Sequence, residues 1–238
     1  MKNCSAFISA FILLSISCSV LAEGTPSAGK DKLASLKGKA NDCAICHKDD
    51  GNSITDAYPK LAGQHSSYLY KQLKDFKNGS RKGLMSGMIA GLSDTDFKNL
   101  AAYYASKTVK TGNAKNDTLV MVGRKLYEGG NPNTKVPACS GCHGPAGKGN
   151  SPAKFPALGG QHAKYTAAQL IDFRKAARGW VKNEVAKKAQ GEANARPGRN
   201  NDKNRMMQHV ALSLSDAEIE AVSSYIEGLR ARAKLVTN

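Results

Sequence analysis

The sequence contains one long internal repeat, and this repeat constrains the fold more than any other feature. Three stretches recur in the same order along the 238 residues, with offsets that grow from 96 to 97 and then to 122 positions. They are residues 43–47 and 139–143, residues 58–65 and 155–162, and residues 92–94 and 214–216. A repeat of this length that occurs only twice indicates two similar domains rather than a solenoid.

Both copies show the residue pattern of helices. In the second copy, Leu119, Val122 and Leu126 lie on one helical face before the repeated motif. Ser93 and Ser215 each stand three positions before an acidic residue and lead into apolar residues at helical spacing, which is typical of a capping box at a helix start. No segment has the sustained alternation of a β-strand. We therefore predict an all-α fold with two tandem domains.

The first 22 residues have the pattern of a secretory signal peptide. A basic start is followed by an apolar run from Ala6 to Val20 and by Ala22 at the expected cleavage point. Export to the periplasm follows from this interpretation. Two alternatives stay open: an uncleaved segment that anchors the protein in the membrane, and cleavage before Cys18 to give a lipoprotein. The predicted divisions are a signal peptide at 1–22, domain 1 at 23–106, a linker at 107–117 and domain 2 at 118–238.

The repeated motif, Cys-x-x-Cys-His, predicts covalent haem attachment. It places two thiols one helical turn apart, with an imidazole directly after the second, so that both sulfurs reach the porphyrin vinyl groups and the imidazole reaches the iron. A zinc site, a redox-active dithiol and plain disulfides explain the motif less well, because none of them requires a His directly after each pair. The predicted attachment residues are Cys43, Cys46, Cys139 and Cys142, and the predicted axial residues are His47 and His143.

A prolyl carbonyl is the candidate partner for each axial His. A haem-ligating His donates its other ring N–H to an acceptor, which fixes the ring and raises its basicity. Pro59 and Pro156 follow the two histidines by about a dozen residues, and the Pro ring stiffens the loop that would present the carbonyl.

Two residue types recur as candidates for the sixth iron ligand. They are the histidines at 65 and 162 and the methionines at 85 and 207. His65 and His162 stand directly before a helix, where a surface or capping role is expected. Met88 has no matching Met in the second copy, so we assign it to core packing. We predict Met85 and Met207 as the distal ligands, since His/Met ligation is the arrangement of cytochromes c.

With these motifs the chain resembles the dihaem cytochromes c of the c4 type. The resemblance implies two tandem class I cytochrome c domains, each wrapped around one covalently attached haem c. It also implies the axial pairs His47 with Met85 and His143 with Met207, and a periplasmic shuttle of electrons to terminal oxidases. A haem in each domain would supply apolar bulk to a chain with only 6% aromatic residues. The residues that carry the resemblance are 43–47, 50–53, 59–64, 85–88, 92–94, 155–162 and 223–229.

The charge of the chain points to an anionic partner. It has 35 Lys and Arg against 19 Asp and Glu, a formal net charge of +16. A basic insertion at about 174–205 departs from the family pattern and holds ten Lys or Arg against three acidic residues. It is either a solvated loop or a docking element for an acidic protein or an anionic membrane surface. Nucleic acid is excluded as a partner by export.

The expected function is electron transfer without enzymatic turnover. A haem with protein ligands on both faces passes electrons and does not bind peroxide or O₂. The expected partners are redox proteins with acidic docking surfaces: a membrane quinol-oxidising complex or another donor, and a terminal oxidase as acceptor. Two alternatives are a dihaem peroxidase, which needs an open axial position, and a haem-bearing subunit of a membrane oxidoreductase complex.

Overall fold

The structure, a computed structural model, describes residues 24–112, 117–185 and 198–230, without the side chains of 180–185 and of residue 203. The predicted signal peptide lies outside the described residues, as do residues 113–116 of the predicted linker and 186–197 of the basic insertion. The described chain is helical, with two isolated β-bridges and no β-strand, as the sequence predicted. None of its helices has both the length and the apolar character of a membrane span.

The described helices divide between the two copies of the repeat. In domain 1 they are α1 (Pro26–Leu36), α2 (Cys43–His47), α3 (Ser66–Lys77), α4 (Met85–Met88) and α5 (Asp94–Ala105). In domain 2 they are α6 (Asp117–Gly129), α7 (Ser140–His143), α8 (Ala163–Val185), α9 (Met206–Leu212) and α10 (Asp216–Gly228), with a 3₁₀ turn at Lys203–Arg205 before α9.

In each domain the first helix crosses the last helix closely at a glycine. A Cβ on Gly29 of α1 would lie 2.1 Å from the carbonyl oxygen of Asn99 in α5. A Cβ on Gly123 of α6 would lie 2.1 Å from the carbonyl oxygen of Ala221 in α10. Any side chain at these two positions would push the helices apart, so each domain closes its core with the same helix crossing.

Both predicted capping boxes are present. Ser93 Oγ accepts a hydrogen bond from the backbone N–H of Asp96 at 3.1 Å, and the Asp96 carboxylate accepts one from the backbone N–H of Ser93 at 2.9 Å. The corresponding distances for Ser215 and Glu218 are 3.2 and 2.8 Å. These bonds satisfy N–H groups that have no partner inside the helix and fix the starts of α5 and α10.

The two described ends of the basic insertion are integral parts of domain 2. Helix α8 continues through the first part of the insertion as far as Val185. Arg174 is buried, donates to the carbonyl oxygen of Leu214 at 2.7 Å and pairs with the carboxylate of Asp216. At the other end, the backbone N–H of Arg199 donates to the carbonyl oxygen of Asp172 at 2.8 Å. Arg174 and Arg199 are therefore not available to a docking element.

The two domains face each other through matched residues of the repeat. Gln64 Nε2 donates to the carbonyl oxygen of Ala157 at 2.8 Å, and Gln161 Nε2 donates to the carbonyl oxygen of Lys60 at 2.9 Å. Gln64 and Gln161 occupy equivalent positions of the two copies, and so do Lys60 and Ala157. The interface therefore has approximate two-fold symmetry, and it brings the two halves of the candidate site together.

Candidate functional site

A continuous cavity of about 1100 Å³ is lined by residues of both domains. Its wall is mostly apolar and includes Leu69, Leu100, Leu170 and Val222 of the two cores. The cavity brings together every predicted attachment and axial residue: Cys43, Cys46, His47 and Met85 of domain 1, and Cys139, Cys142, His143 and Met207 of domain 2.

The two candidate axial histidines have the same environment. His47, at the end of α2, and His143, at the end of α7, are 5% and 6% exposed. His47 Nδ1 lies 2.9 Å from the carbonyl oxygen of Pro59, and His143 Nδ1 lies 2.9 Å from that of Pro156. Because a carbonyl oxygen can only accept, each Nδ1 carries the proton and each Nε2 keeps its lone pair for a metal.

Burial keeps both imidazoles in the form that binds a metal. It lowers the pKa of His47 and of His143 below the ordinary value, against the smaller opposing effect of the hydrogen bond to the prolyl carbonyl. Both rings are thus neutral at physiological pH. The side chain of Asp42 fixes the start of α2 by accepting from the N–H of Ala44 at 2.9 Å, which orients the helix that presents His47.

Burial affects the thiol of the first cysteine in each motif. Burial raises the pKa of Cys43 to about 11, with a further contribution from the Asp42 carboxylate. Burial also raises the pKa of Cys139 to about 11. Cys43 and Cys139 are therefore uncharged thiols at neutral pH. This suits residues that would become neutral thioethers against an apolar macrocycle.

Four methionines contact the cavity, and two of them also pack on a domain core. Met85, the first residue of α4, packs against the core of domain 1, and Met207 of α9 packs against the core of domain 2. Met88 and Met206 line the cavity as well, and Met206 is 41% exposed. The repeat selects Met85 and Met207 as ligands, and both line the cavity beside a domain core.

Two arginines, for which the sequence pattern predicts no role in the site, enter the cavity between the domains. Arg81 of domain 1 donates to Gln72 at 2.6 Å and, across the interface, to Gln169 at 2.7 Å. Arg199 of domain 2 donates to Gln169 at 3.0 Å and, across the interface, to Tyr68 at 2.8 Å. A signal was present in the repeat, because Tyr68 and Gln72 recur as Tyr165 and Gln169, but the arginines themselves lie outside the matched positions.

This set of groups fits covalently bound haem. The thiol pairs suit attachment to the vinyl groups, and each His offers Nε2 to the iron. The apolar wall accommodates the macrocycle, and the two guanidinium groups, which donate to neutral amides and a hydroxyl, suit the propionates. Haem would thus be held by the residues of the motifs at one edge and by Arg81 and Arg199 at the other.

Comparisons with known proteins agree with this arrangement. The family model for cytochrome c matches residues 37–107 and 120–230. Cytochrome c4 of Azotobacter vinelandii is 39% identical over 234 residues, which cover 94% of this chain and 98% of that protein. The crystal structure of reduced recombinant cytochrome c4 from Pseudomonas stutzeri has a TM-score of 0.71 at 42% identity and covers 87% of this chain and 100% of its own. A thiosulfate dehydrogenase electron acceptor of Stutzerimonas stutzeri is 34% identical over 187 residues, 77% of this chain and 76% of that protein. The similarity extends across both copies of the repeat.

Proposed function

Because the chain belongs to the cytochrome c4 family of electron-transfer proteins, with two covalently bound haem c groups, we propose that it is an exported carrier in a respiratory chain. In this role it accepts electrons from a membrane quinol-oxidising complex or another periplasmic donor and delivers them to a terminal oxidase. The observation that carries the proposal is the cavity that joins both cysteine motifs and both candidate axial pairs.

The residues of the chain perform three tasks in this role. The thiols of the two motifs fix the haems in place, and the prolyl carbonyls hold the axial imidazoles in one tautomer. Met85 and Met207 would supply the second axial ligands, which would leave neither iron a site for peroxide or O₂. When bound, each haem c supplies an iron that cycles between the ferrous and ferric states, and a thioether ligand favours the ferrous state.

The charge of the chain supports docking to acidic surfaces. A net charge of +16 raises the encounter rate with negatively charged partners and orients the protein on them. An anionic membrane surface would attract the same charge. Cleavage after Ala22 would release the carrier into the periplasm, whereas a retained segment would favour the alternative role of a haem subunit fixed in a membrane complex. N-terminal sequencing of the mature protein distinguishes the two, since a free carrier begins at Glu23.

A dihaem peroxidase is the enzymatic alternative. It requires an open axial position, and the presence of Met85 and Met207 in matched places on the two cores is an argument against it. Mixing the reduced protein with peroxide tests this directly. A carrier is oxidised slowly and without catalytic turnover.

A second donor is suggested by one of the relatives. The Stutzerimonas stutzeri relative is called a thiosulfate dehydrogenase electron acceptor, and it shares 34% identity with this chain. We propose an electron-accepting role of the same kind as the second candidate, with a periplasmic dehydrogenase in place of the quinol-oxidising complex.

One experiment separates these roles. The purified holoprotein is added to membranes that contain the terminal oxidase, and oxygen uptake is measured with a quinol or with thiosulfate and its dehydrogenase as the source of electrons. The main proposal requires quinol-driven uptake that depends on the added protein and falls as ionic strength rises. Uptake driven only through the dehydrogenase would support the second candidate, and no uptake from either source would refute both.

A further inference from the structure

The peptide group between Pro59 and Lys60 is hydrogen-bonded at both ends, to groups in different domains. Its carbonyl oxygen lies 2.9 Å from Nδ1 of His47 in the same domain. Its N–H donates to Oε1 of Gln161, in domain 2, at 2.9 Å. One planar unit therefore lies between the axial imidazole of domain 1 and a side chain of domain 2.

The same arrangement occurs in the opposite direction. The carbonyl oxygen of Pro156 lies 2.9 Å from Nδ1 of His143, and the N–H of Ala157 donates to Oε1 of Gln64, in domain 1, at 2.8 Å. Each imidazole is therefore linked through a single peptide group to a glutamine of the other domain.

The two glutamines are held firmly in these positions. The oxygen of Gln64 also accepts from the N–H of His65 at 3.0 Å, and the oxygen of Gln161 accepts from the N–H of His162 at 3.1 Å. The Nε2 groups donate across the interface to the carbonyl oxygens of Ala157 and Lys60. Each amide thus makes three hydrogen bonds, and the side chain cannot turn away from the peptide without losing them.

A hydrogen bond at one end of a peptide group strengthens the bond at the other end. When the N–H donates, electron density shifts toward the carbonyl oxygen, which then becomes a better acceptor. A stronger bond from Nδ1–H to that oxygen makes the imidazole more basic. A more basic axial imidazole stabilises ferric iron and lowers the reduction potential, because hydrogen bonds beyond the ligands are one of the means by which a protein sets it.

We propose that Gln161 and Gln64 are positioning residues that each lower the reduction potential of the haem in the opposite domain. The effect is crossed: Gln161 acts on His47, and Gln64 acts on His143. The potential of each haem therefore depends on the docking of the other domain, and a movement between the domains alters both. The inference rests on His47 and His143 being the axial ligands of the proposed carrier, but it does not depend on the donor or acceptor.

Two substitutions test the crossed effect. Gln161→Leu and Gln64→Leu remove the acceptor, and the reduction potential of each haem is measured in the holoprotein by spectroelectrochemistry. The haems are assigned to their domains by the NMR signals of their own axial histidines. We expect Gln161→Leu to raise the potential of the haem on His47 and to shift the Nδ1–H resonance of that residue, with little change at His143. We expect Gln64→Leu to do the reverse.

A matched control removes an interdomain contact that touches neither peptide. Ser67 Oγ donates across the interface to the carbonyl oxygen of Ser151 at 2.9 Å. Ser67→Ala should leave both potentials unchanged if the glutamines act through the peptides. A shift of both potentials in Ser67→Ala as large as those in the leucine variants would show that general loosening of the interface is the cause, and would overturn the proposal.

A glutamate at the same position separates the acceptor from the donor. Gln161→Glu keeps an oxygen that accepts from the N–H of Lys60 but loses the Nε2 donor. We expect the potential of the haem on His47 to stay the same or fall, opposite to the rise in Gln161→Leu. Equal rises in both variants would mean that the donor, which only holds the domains together, controls the potential. A shift only in the reduction potential of the haem in the domain that carries the substitution would also refute the inference, and so would unchanged potentials of both haems. These outcomes count against the inference whatever the result of the oxygen-uptake experiment.

Discussion

His162 of domain 2 is buried against Ser53 of domain 1, with its Nε2 atom 2.9 Å from the carbonyl oxygen and 3.0 Å from Oγ of Ser53. The Ser53 hydroxyl donates to the carbonyl oxygen of Tyr58 at 2.8 Å, so its proton is already engaged. Nε2 of His162 is therefore the donor in this contact. The position of His162 directly before a helix predicts a surface or capping role, whereas the structure places it in the interface between the domains.

We predict that His162→Ala lowers the free energy of unfolding by about 1–3 kcal/mol, because it leaves buried acceptors on Ser53 without their donor. His65 is the control, since it occupies the equivalent place in domain 1 and its Nε2 is buried without a described hydrogen-bond partner. His65→Ala should therefore lower the free energy of unfolding by a smaller amount. Chemical denaturation of the two holoprotein variants measures the difference, and an equal loss in both would contradict the assigned contact.

Removal of either predicted distal ligand should change one haem only. We predict that Met85→Ala and Met207→Ala each convert one of the two haems from low spin to high spin and lower its reduction potential, since the thioether favours ferrous iron. Axial ligands control haem potentials over a range of about 0.8 V, so the fall is large compared with the error of a redox titration. The measurements are the absorption spectrum and the titration of each variant.

The controls for this prediction are the other two methionines of the cavity wall. Met88→Ala and Met206→Ala should keep two low-spin haems, because both residues line the cavity but neither belongs to the pair that the repeat selects. A high-spin haem in Met88→Ala or Met206→Ala, with normal spectra in the other two variants, would reassign the ligand.

Arg174 connects α8 with the start of α10, and its removal should destabilise domain 2. Arg174→Met deletes the charged hydrogen bond to the buried carbonyl oxygen of Leu214. We predict that this lowers the free energy of unfolding by about 1.5–3 kcal/mol. Arg178 is the matched control, since it lies one helical turn further along α8 and is exposed. Arg178→Met should have little effect on thermal unfolding, and a loss as large as that of Arg174→Met would show that total charge, not the buried contact, matters.

The contribution of Arg174 to the free energy of unfolding should also depend on pH. Its hydrogen bond and its charge, with a smaller contribution from the charge of Arg178, hold the pKa of Asp216 below the ordinary value of 3.8. A carboxyl whose pKa is lower in the folded state stabilises the fold above its unfolded-state pKa, and this stabilisation is lost as the pH falls through the folded-state value. The difference in the free energy of unfolding between wild type and Arg174→Met should therefore be larger at pH 7 than at pH values below 3.8. A difference that grows in acid would contradict the pairing with Asp216.

The features that the sequence predicted well depend on residues close together in the chain. The capping boxes at Ser93 and Ser215 each involve residues three positions apart. The first Cys-x-x-Cys-His motif forms α2, and the second begins at Cys139, directly before α7, so the geometry of both follows from a short helical turn. The duplication identified matched residues even where their roles were unknown.

The features that the sequence did not predict depend on how the two domains dock. Arg81 reaches Gln169 over 88 positions and Gln64 reaches Ala157 over 93, and no local pattern links such pairs. The charge of the basic insertion predicts a solvated loop or a docking element, but Arg174 and Arg199 use their charges inside the fold. A count of basic residues cannot distinguish a guanidinium that binds a buried carbonyl from one that faces a partner.

The middle of the basic insertion, 186–197, can be tested as a docking element without removing Arg174 or Arg199. A deletion that reached Arg199 would remove a residue that binds Tyr68, so the test has to stay within 186–197. We predict that Lys187→Gln with Lys188→Gln slows electron delivery to oxidase-containing membranes at low ionic strength and has no effect at high ionic strength, where surface charges are screened. Lys30→Gln with Lys37→Gln removes the same charge from exposed positions of domain 1 and serves as the control. Equal slowing in both double variants would attribute the effect to net charge alone, and unchanged rates in the Lys187 and Lys188 variant would show that this segment is not a docking element.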